Sequence, residues 1–463
     1  MFLFINNAKI HLKERDERLS GIWASDARVV HPFVCYNSNV ELQQIRRVRV
    51  ENLKRVAAKE AKQRKRNTLQ PDENKTYDVI IIGGGPAGST SGYLLSKAGL
   101  KVIIVDKSRF PREKLCAGLL TQKTVDLINS VFHETVNSLR KKNIINFESS
   151  HYEVFFRNKR IAKINHEGIP FYYVDRSVYD NFFLQKAKEA GAEILEGEIA
   201  VSTDYRKNEI VTSSGKTLSS KYIIGADGVY SRVRRELFFE RQKSDLWQRG
   251  LAPSYEIFID RKTIRNAPDS YSRIFYGVVN WGYAWLFPNK DRIVIGVGGL
   301  TIKNGKKLLS SFQKFLSSLG LSHSEMRVQK GHAVPYGNFL KDPVRESTFL
   351  VGDAAGFADP LLGEGIFYAH KSAQLASSAI IQEIREGKNA ADTYRKKLGE
   401  QVYPQLEGAK KLRQLLFCDL NSRSHYIGVR VLLKLVPKII VKMIHDDESY
   451  SRFRHLLHNL EGT

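Results

Sequence analysis

Gly83, Gly85 and Gly88 form the pattern G-x-G-x-x-G, with Pro86 and Ala87 enclosed in it. In this pattern the first glycine permits a tight turn. The second lets a pyrophosphate approach the backbone, and the third lets a helix pack closely on a strand. A helix starting there also offers unpaired N–H groups and the positive end of its dipole to phosphates. Asp106 follows about 20 residues later, where a carboxylate can accept hydrogen bonds from an adenosine ribose. Lys107, its neighbour, is counted with the cofactor-binding residues. The chemistry these residues predict is dinucleotide binding.

The elements needed to position this motif are present. "YDVIIIGGG" is a continuous β-branched run ending in glycines, the pattern of a doubly buried parallel strand. Residues 86–99 have helical spacing and end in glycine, and "KVIIVD" (101–106) reads as a second buried strand. Together they predict one βαβ unit. Two further β-rich runs, 217–229 and 347–356, each end in a Gly-Asp turn, at Asp227 and at Gly352-Asp353. Between them, residues 252–300 alternate aromatic and polar side chains, which predicts antiparallel strands of a second layer. After Gly363 the chain reads as mainly helical.

Composition narrows the function classes. The 463 residues are enough for two or three packed units. A net charge of +24 calls for an anionic partner: nucleic acid, an acidic membrane surface or a phosphorylated ligand. Nucleic acid is set aside, because the basic runs carry no interleaved aromatics for stacking. Residues 1–75 read as a basic, solvated or poorly ordered extension without chemistry of its own. Cys35, Cys116 and Cys418 are far apart, so neither a disulfide framework nor a metal site is expected. "MFLFINN" is too short an apolar run for a secretory signal, and no stretch has the ~18–20 apolar residues of a membrane span. The expected location is the cytoplasm. In 429–444, Arg430, Lys434, Lys438 and Lys442 recur every four residues among Leu, Ile and Val, which leaves open either a peripheral membrane contact or a helix packed on the protein. Oligomeric state is open.

Several segments in order resemble the geranylgeranyl reductase family of flavoproteins, related to the p-hydroxybenzoate hydroxylase type. They are "PREKLCAGLL" (111–120), "VDRSVYD" (174–180), "GADGVYSRVRR" (225–235), "GYAWLFPNKDRIVIGVGG" (282–299) and "VGDAAGFADPLLGEGIFYA" (351–369). The resemblance spans roughly 76–385, with Ala117 standing where the family usually has glycine. It implies FAD as cofactor and an α/β fold: a Rossmann-like FAD-binding domain, an interleaved antiparallel-sheet substrate domain and a C-terminal helical region. The expected bounds are 76–125 with 170–240 and 340–385 for FAD, 126–169 with 241–339 for substrate, and 386–463 for the helical region. It further implies that Asp353, beside Gly352, binds the ribityl hydroxyls and that Asp227 organises the pyrophosphate region. Arg176 would lie near the FAD, and Gly363, Gly365 and Ile366 would bring a helix start to the flavin. Glu364 reads as a first-turn acid. The implied reaction is saturation of isoprenoid double bonds, with a prenyl lipid as substrate and NAD(P)H or ferredoxin as electron donor.

Tyr283, Trp285, Phe287 and Pro288 supply an aromatic surface suited to a prenyl chain. The same i, i+2, i+4 spacing also describes one face of a core strand, and both readings can hold. Cys116 is either a catalytic thiol near the flavin or a small buried apolar residue. Lys114 reads as a phosphate or headgroup contact, or as an exposed loop lysine. The rival on the same fold is a flavin monooxygenase or halogenase. The halogenase G-W-x-W-x-I-P is altered here at its first tryptophan and its isoleucine, to Tyr283 and Phe287.

Overall fold

The computed structural model describes residues 76–165, 169–237, 246–263, 271–321 and 329–418, with positions 427, 444, 445 and 450. The 1–75 extension and all of 429–444 except Ile444 lie outside the described residues.

Thr76–Ile82 is apolar on both faces and takes a central place in a parallel sheet, with Val79, Ile80 and Ile81 fully buried. It pairs with Val102–Asp106 on one side and Thr217–Gly225 on the other. Glu193–Glu196 and Thr348–Leu350 extend the sheet, also in parallel. The strands therefore end together at Gly83, Asp106, Ala226 and Val351, the edge at which open α/β sheets bind ligands. Helices Pro86–Lys97, Arg176–Glu189 and Ile366–Glu386 pack beside one another over this sheet. A buried polar chain joins them: His370 Nδ1 lies 2.6 Å from Thr90 Oγ1, and its Nε2 lies 2.8 Å from the Tyr179 hydroxyl. Thr90 donates its own proton to the Pro86 carbonyl. The ring is therefore assigned as the Nδ1–H tautomer, accepting from Tyr179. Burial keeps it neutral, with a pKa lowered to about 3. Helix Gln122–Phe132 spans the expected 125/126 boundary and adds Val125, Ile128 and Val131 to the same core.

The second sheet has seven strands. At its centre, Ser254–Asp260, Arg292–Gly299, Gly282–Pro288 and Tyr271–Tyr276 run antiparallel, and His151–Phe156 adds in parallel to the last. Alternation gives each strand two fates. Ile257, Ala284, Leu286, Ile295 and Val297 pack on helix Lys307–Ser318 through Leu308, Phe312 and Phe315. The opposite face carries Glu256, Ile274, Tyr283, Trp285 and Phe287. Register places Glu256 beside Gly296, and Gly296 beside Trp285. A Cβ at Gly296 would lie 2.3 Å from Trp285 Cζ2, so the indole crosses the bare backbone of this strand.

The loop that leaves Asp106 is fixed by an ion cluster. Asp180 is fully buried and accepts from Arg176 through both oxygens, at 2.8 and 2.9 Å. Arg112, from the loop, approaches the same carboxylate at 3.0 Å. Burial pushes the Asp180 carboxyl up, but Arg176 and then Arg112 outweigh it and hold it below the ordinary carboxylate value.

Two substitutions test this framework. A methyl at position 88 would fall 1.7 Å from the Gly83 carbonyl oxygen. Gly88→Ala is therefore expected to lower stability by ~3 kcal/mol or more in denaturant melts. Asp180→Asn leaves the buried Arg176 without its counter-charge and is expected to cost ~3–5 kcal/mol in the same assay.

Candidate functional site

A cavity of about 990 Å³ lies between the C-terminal edge of the parallel sheet and the aromatic face of the second sheet. Gly83 sits at φ +106°, where its Cβ would meet the Ala226 carbonyl oxygen at 2.3 Å, so only glycine makes this turn. Gly85 faces open space, its nearest neighbour being the Arg112 guanidinium at 3.7 Å. Asp106 accepts the N–H of Gly84 at 2.6 Å and of Ser108 at 2.7 Å, one on each oxygen. The carboxylate is thus locked in place with lone pairs left over for a ligand. Helices Pro86–Lys97 and Ile366–Glu386 both start at the cavity, and neither start has a side-chain cap. Their first N–H groups are available to an anion or an electron-rich ring.

Three of the residues expected from the sequence stand behind the cavity wall: Gly88, Gly352 and Pro288. Gly88 packs against Gly83, and Pro288 pairs with Ile293 at the end of the aromatic strand. Gly352 turns with φ +56° between Ala87 and Ala369, and its N–H donates to Ser372 Oγ. All the other expected residues line the cavity, including Lys107, Arg176, Gly363, Gly365 and Ile366.

Charges converge at its middle. The Asp353 carboxylate borders the cavity and accepts no hydrogen bond from the described residues, while its backbone carbonyl accepts the Gly356 N–H. Burial raises its pKa, opposed by Lys114 and Arg176. Lys114, which the sequence left as either a ligand contact or an exposed loop residue, is half-buried here. Burial depresses its ammonium pKa, and Arg176 adds to the effect. Cys116 Sγ accepts the Gly118 N–H at 3.4 Å and lies against Arg176. In this loop Gly118 is the position that needs glycine: its φ is +68°, and a Cβ would stand 2.1 Å from the Val174 carbonyl oxygen. Ala117 packs among the aromatic cluster instead. Asp227 divides its carboxylate. One oxygen caps Arg232–Leu237 by accepting from Arg232 N–H at 2.7 Å, while Oδ1 is buried without a partner among the described residues.

The turn before the long helix is clamped from three directions. The Tyr283 hydroxyl donates to the Leu362 carbonyl, and Tyr336 donates to Leu361 at 2.8 Å. Glu364 precedes the helix cap at Gly365. It pairs with Lys123 at 2.8 Å and accepts from Thr121 at 2.5 Å, so its charge serves as an anchor for the turn. Lys123 was not legible as a partner, since nothing local links positions 123 and 364.

The far end is apolar. Trp285 and Phe287 stack with centroids 6.3 Å apart, and Tyr283 meets Trp285 edge-on at 5.7 Å. Phe171, Ile274 and Leu119 complete this chamber. A carboxyl side chain enters the sheet wall here, that of Glu256, which is 2% exposed with Oε2 unpartnered among the described residues. Little in the sequence marks it. In "SYEIFID" the apolar alternation assigns Glu256 to the face opposite the core, normally the wet one.

The glycine cradle, two uncapped helix starts, the unpartnered Oδ1 of Asp227 and the carboxylate of Asp353 fit a dinucleotide carrying a flat ring. The FAD binding domain family matches residues 76–254. A geranylgeranyl diphosphate reductase from Rhodobacter capsulatus is 28% identical over 326 residues, covering 68% of this chain and 77% of that protein. A digeranylgeranylglycerophospholipid reductase from Methanococcus vannielii is 26% identical over 399 residues, covering 82% and 97%. A solved geranylgeranyl bacteriochlorophyll reductase-like structure from Thermoplasma acidophilum superposes with a TM-score of 0.63 at 20% identity, over 81% of this chain and 99% of that one. The flavin-dependent brominase Bmp2 shares the fold at TM-score 0.60 and 18% identity, over 84% and 99%. The chain is therefore a flavoprotein with an FAD binding domain at residues 76–254, akin in sequence to these geranylgeranyl and digeranylgeranylglycerophospholipid reductases.

Proposed function

We propose that this flavoprotein is a reductase that saturates carbon–carbon double bonds of a prenyl lipid. The observation that carries this reading is the continuity of the cavity from the dinucleotide cradle into the aromatic chamber. An isolated alkene presents no hydrogen-bonding group, so it must be oriented by apolar contact, which Tyr283, Trp285, Phe287 and Ile274 offer. The names of the sequence relatives agree with such a substrate.

In this reading Gly83, Gly85 and the N–H groups after Pro86 and Ala87 hold the pyrophosphate. Asp106 takes the ribose, and Lys107 and Asp227 flank the cradle. Asp353 takes the ribityl chain, with Arg176 beside it. Gly363, Gly365 and Ile366 bring the positive end of the long helix to the flavin ring, where it favours the anionic reduced form. Pro288 holds the end of the aromatic strand. Cys116, on the loop fixed by Asp180, borders the passage from cradle to chamber and is assigned to the reacting face. FAD, when bound and reduced, supplies two electrons as a hydride. The chamber's part is to exclude water and present the double bond. NAD(P)H or ferredoxin serves as donor.

Asp353→Ala is expected to weaken FAD retention ~10–100-fold, the loss of a hydrogen bond to a charged acceptor, read from bound flavin absorbance after dialysis. Dithionite-reduced protein given a geranylgeranyl lipid without oxygen is expected to add one pair of hydrogens per double bond, detected by mass spectrometry. A product formed only when oxygen is admitted would assign the protein to the monooxygenase and halogenase branch of the fold.

A further inference from the structure

Saturation of an alkene needs a proton as well as a hydride, and a positioned side chain can deliver that proton to a chosen carbon. Several proton-bearing groups border the cavity. The Tyr283 hydroxyl is committed to the Leu362 carbonyl, and burial raises its pKa beyond use as an acid. His332 is held neutral by burial and by Lys114 and Arg176, its pKa lowered to about 3. Lys114 and Asp353 belong to the charged middle, beside Arg176.

Glu256 differs from all of these. It stands in one cross-strand row with Gly296, Trp285 and Ile274, which forms the wall of the aromatic chamber. Neighbouring strands are ~4.8 Å apart, and Gly296 contributes no side chain between Glu256 and Trp285. The carboxyl and the indole therefore border the same space. Both are orphaned: Glu256 Oε2 and Trp285 Nε1 have no partner among the described residues. An unpaired polar atom in a wall 2% exposed is costly unless a ligand or a reaction uses it.

We propose that Glu256 is the proton donor that completes double-bond saturation, an assignment that rests on the reductase reading above. The alkene π bond opens. One carbon takes a hydride from the reduced flavin, and its neighbour takes the proton as the Oε2–H bond of Glu256 breaks. The flavin is left oxidised and Glu256 as a carboxylate, which regains a proton from water before the next double bond. Burial holds the carboxyl protonated to about pH 7, well above its ordinary 4.5, and Arg176 is the charge that opposes this shift. The same arginine stabilises the carboxylate left after transfer. Trp285, whose indole covers Gly296, positions the double bond beside the acid.

The test uses the FAD-loaded full chain, with Glu256→Gln and Glu256→Asp beside wild type and a geranylgeranyl lipid as probe. Glu256→Gln is expected to retain FAD and lose saturation on the order of 10²-fold or more, with Glu256→Asp restoring part of it. Wild-type rate should fall as pH rises through about 7, the limb on which the acid is lost, and Glu256→Gln should lack that limb. Two readouts do not depend on turnover. Infrared difference spectra should show a protonated carboxyl that ionises near pH 7 in wild type and is absent from Glu256→Gln. The folded protein binds this proton more tightly than the unfolded chain, so wild-type melting temperature should fall relative to Glu256→Gln between about pH 4.5 and 7 and then stay level. Equal rates and pH profiles for wild type and Glu256→Gln would remove the assignment and leave the reductase reading intact. Failure of wild type to saturate any prenyl lipid would remove both.

Discussion

Burying a lone carboxylate in a protein interior costs several kcal/mol, so Asp180 can exist only with cations around it. It has two, Arg176 from its own helix and Arg112 from the loop after Asp106. That pairing fixes the loop against the helix and determines where Lys114 and Cys116 emerge. It also immobilises Arg176, whose charge then acts on several titratable groups of the cavity. Arg176 lowers the pKa values of Lys114, Asp353, Glu256 and His332 alike. Burial is the larger influence on each of these groups, and one pinned guanidinium adds a shared bias toward the deprotonated form.

The second constraint is geometric. A flat ring needs backbone that can be approached closely, and the chain supplies it twice. In the first sheet the glycines clear the turn between strand and helix. In the second, Gly296 and Gly298 leave a strip of bare strand on which the Trp285 indole rests, 2.3 and 3.5 Å from where their Cβ atoms would stand. The opposite face of the same strands is conventional core against helix Lys307–Ser318. The spaced glycines and spaced aromatics of 282–299 are therefore one device, read from two adjacent strands.

This division explains what the sequence disclosed. The βαβ unit was legible because a parallel strand buried on both faces has an unmistakable composition, and because the glycines do their work locally. The aromatic strand was legible through its period of two. Asp180, Lys123 and Glu256 were not, for a shared reason: each acquires its meaning from a partner far along the chain. Glu256 obeys the alternation of its strand and would face solvent in an ordinary antiparallel sheet. Only the packing of this face against the FAD-binding edge turns that position into the wall of the aromatic chamber. Glu364 carries the same lesson in reverse, since its place before a helix suggests a dipole partner while Lys123 and Thr121 claim its charge.

The net charge of +24 also takes on a different meaning. If the excess of basic residues existed to draw an anionic substrate into the cavity, the lining would share it. Instead, seven Asp and Glu side chains border the cavity against five Lys and Arg. Three of those cations, Arg112, Lys114 and Arg176, already face Asp180 or Asp353. Anion recognition inside the cavity therefore falls mainly to backbone N–H groups at the two uncapped helix starts, which matches a pyrophosphate better than a free-moving anionic headgroup. The aromatic chamber is lined mainly by apolar side chains, and the positive excess of the chain does not appear among the residues that line the cavity.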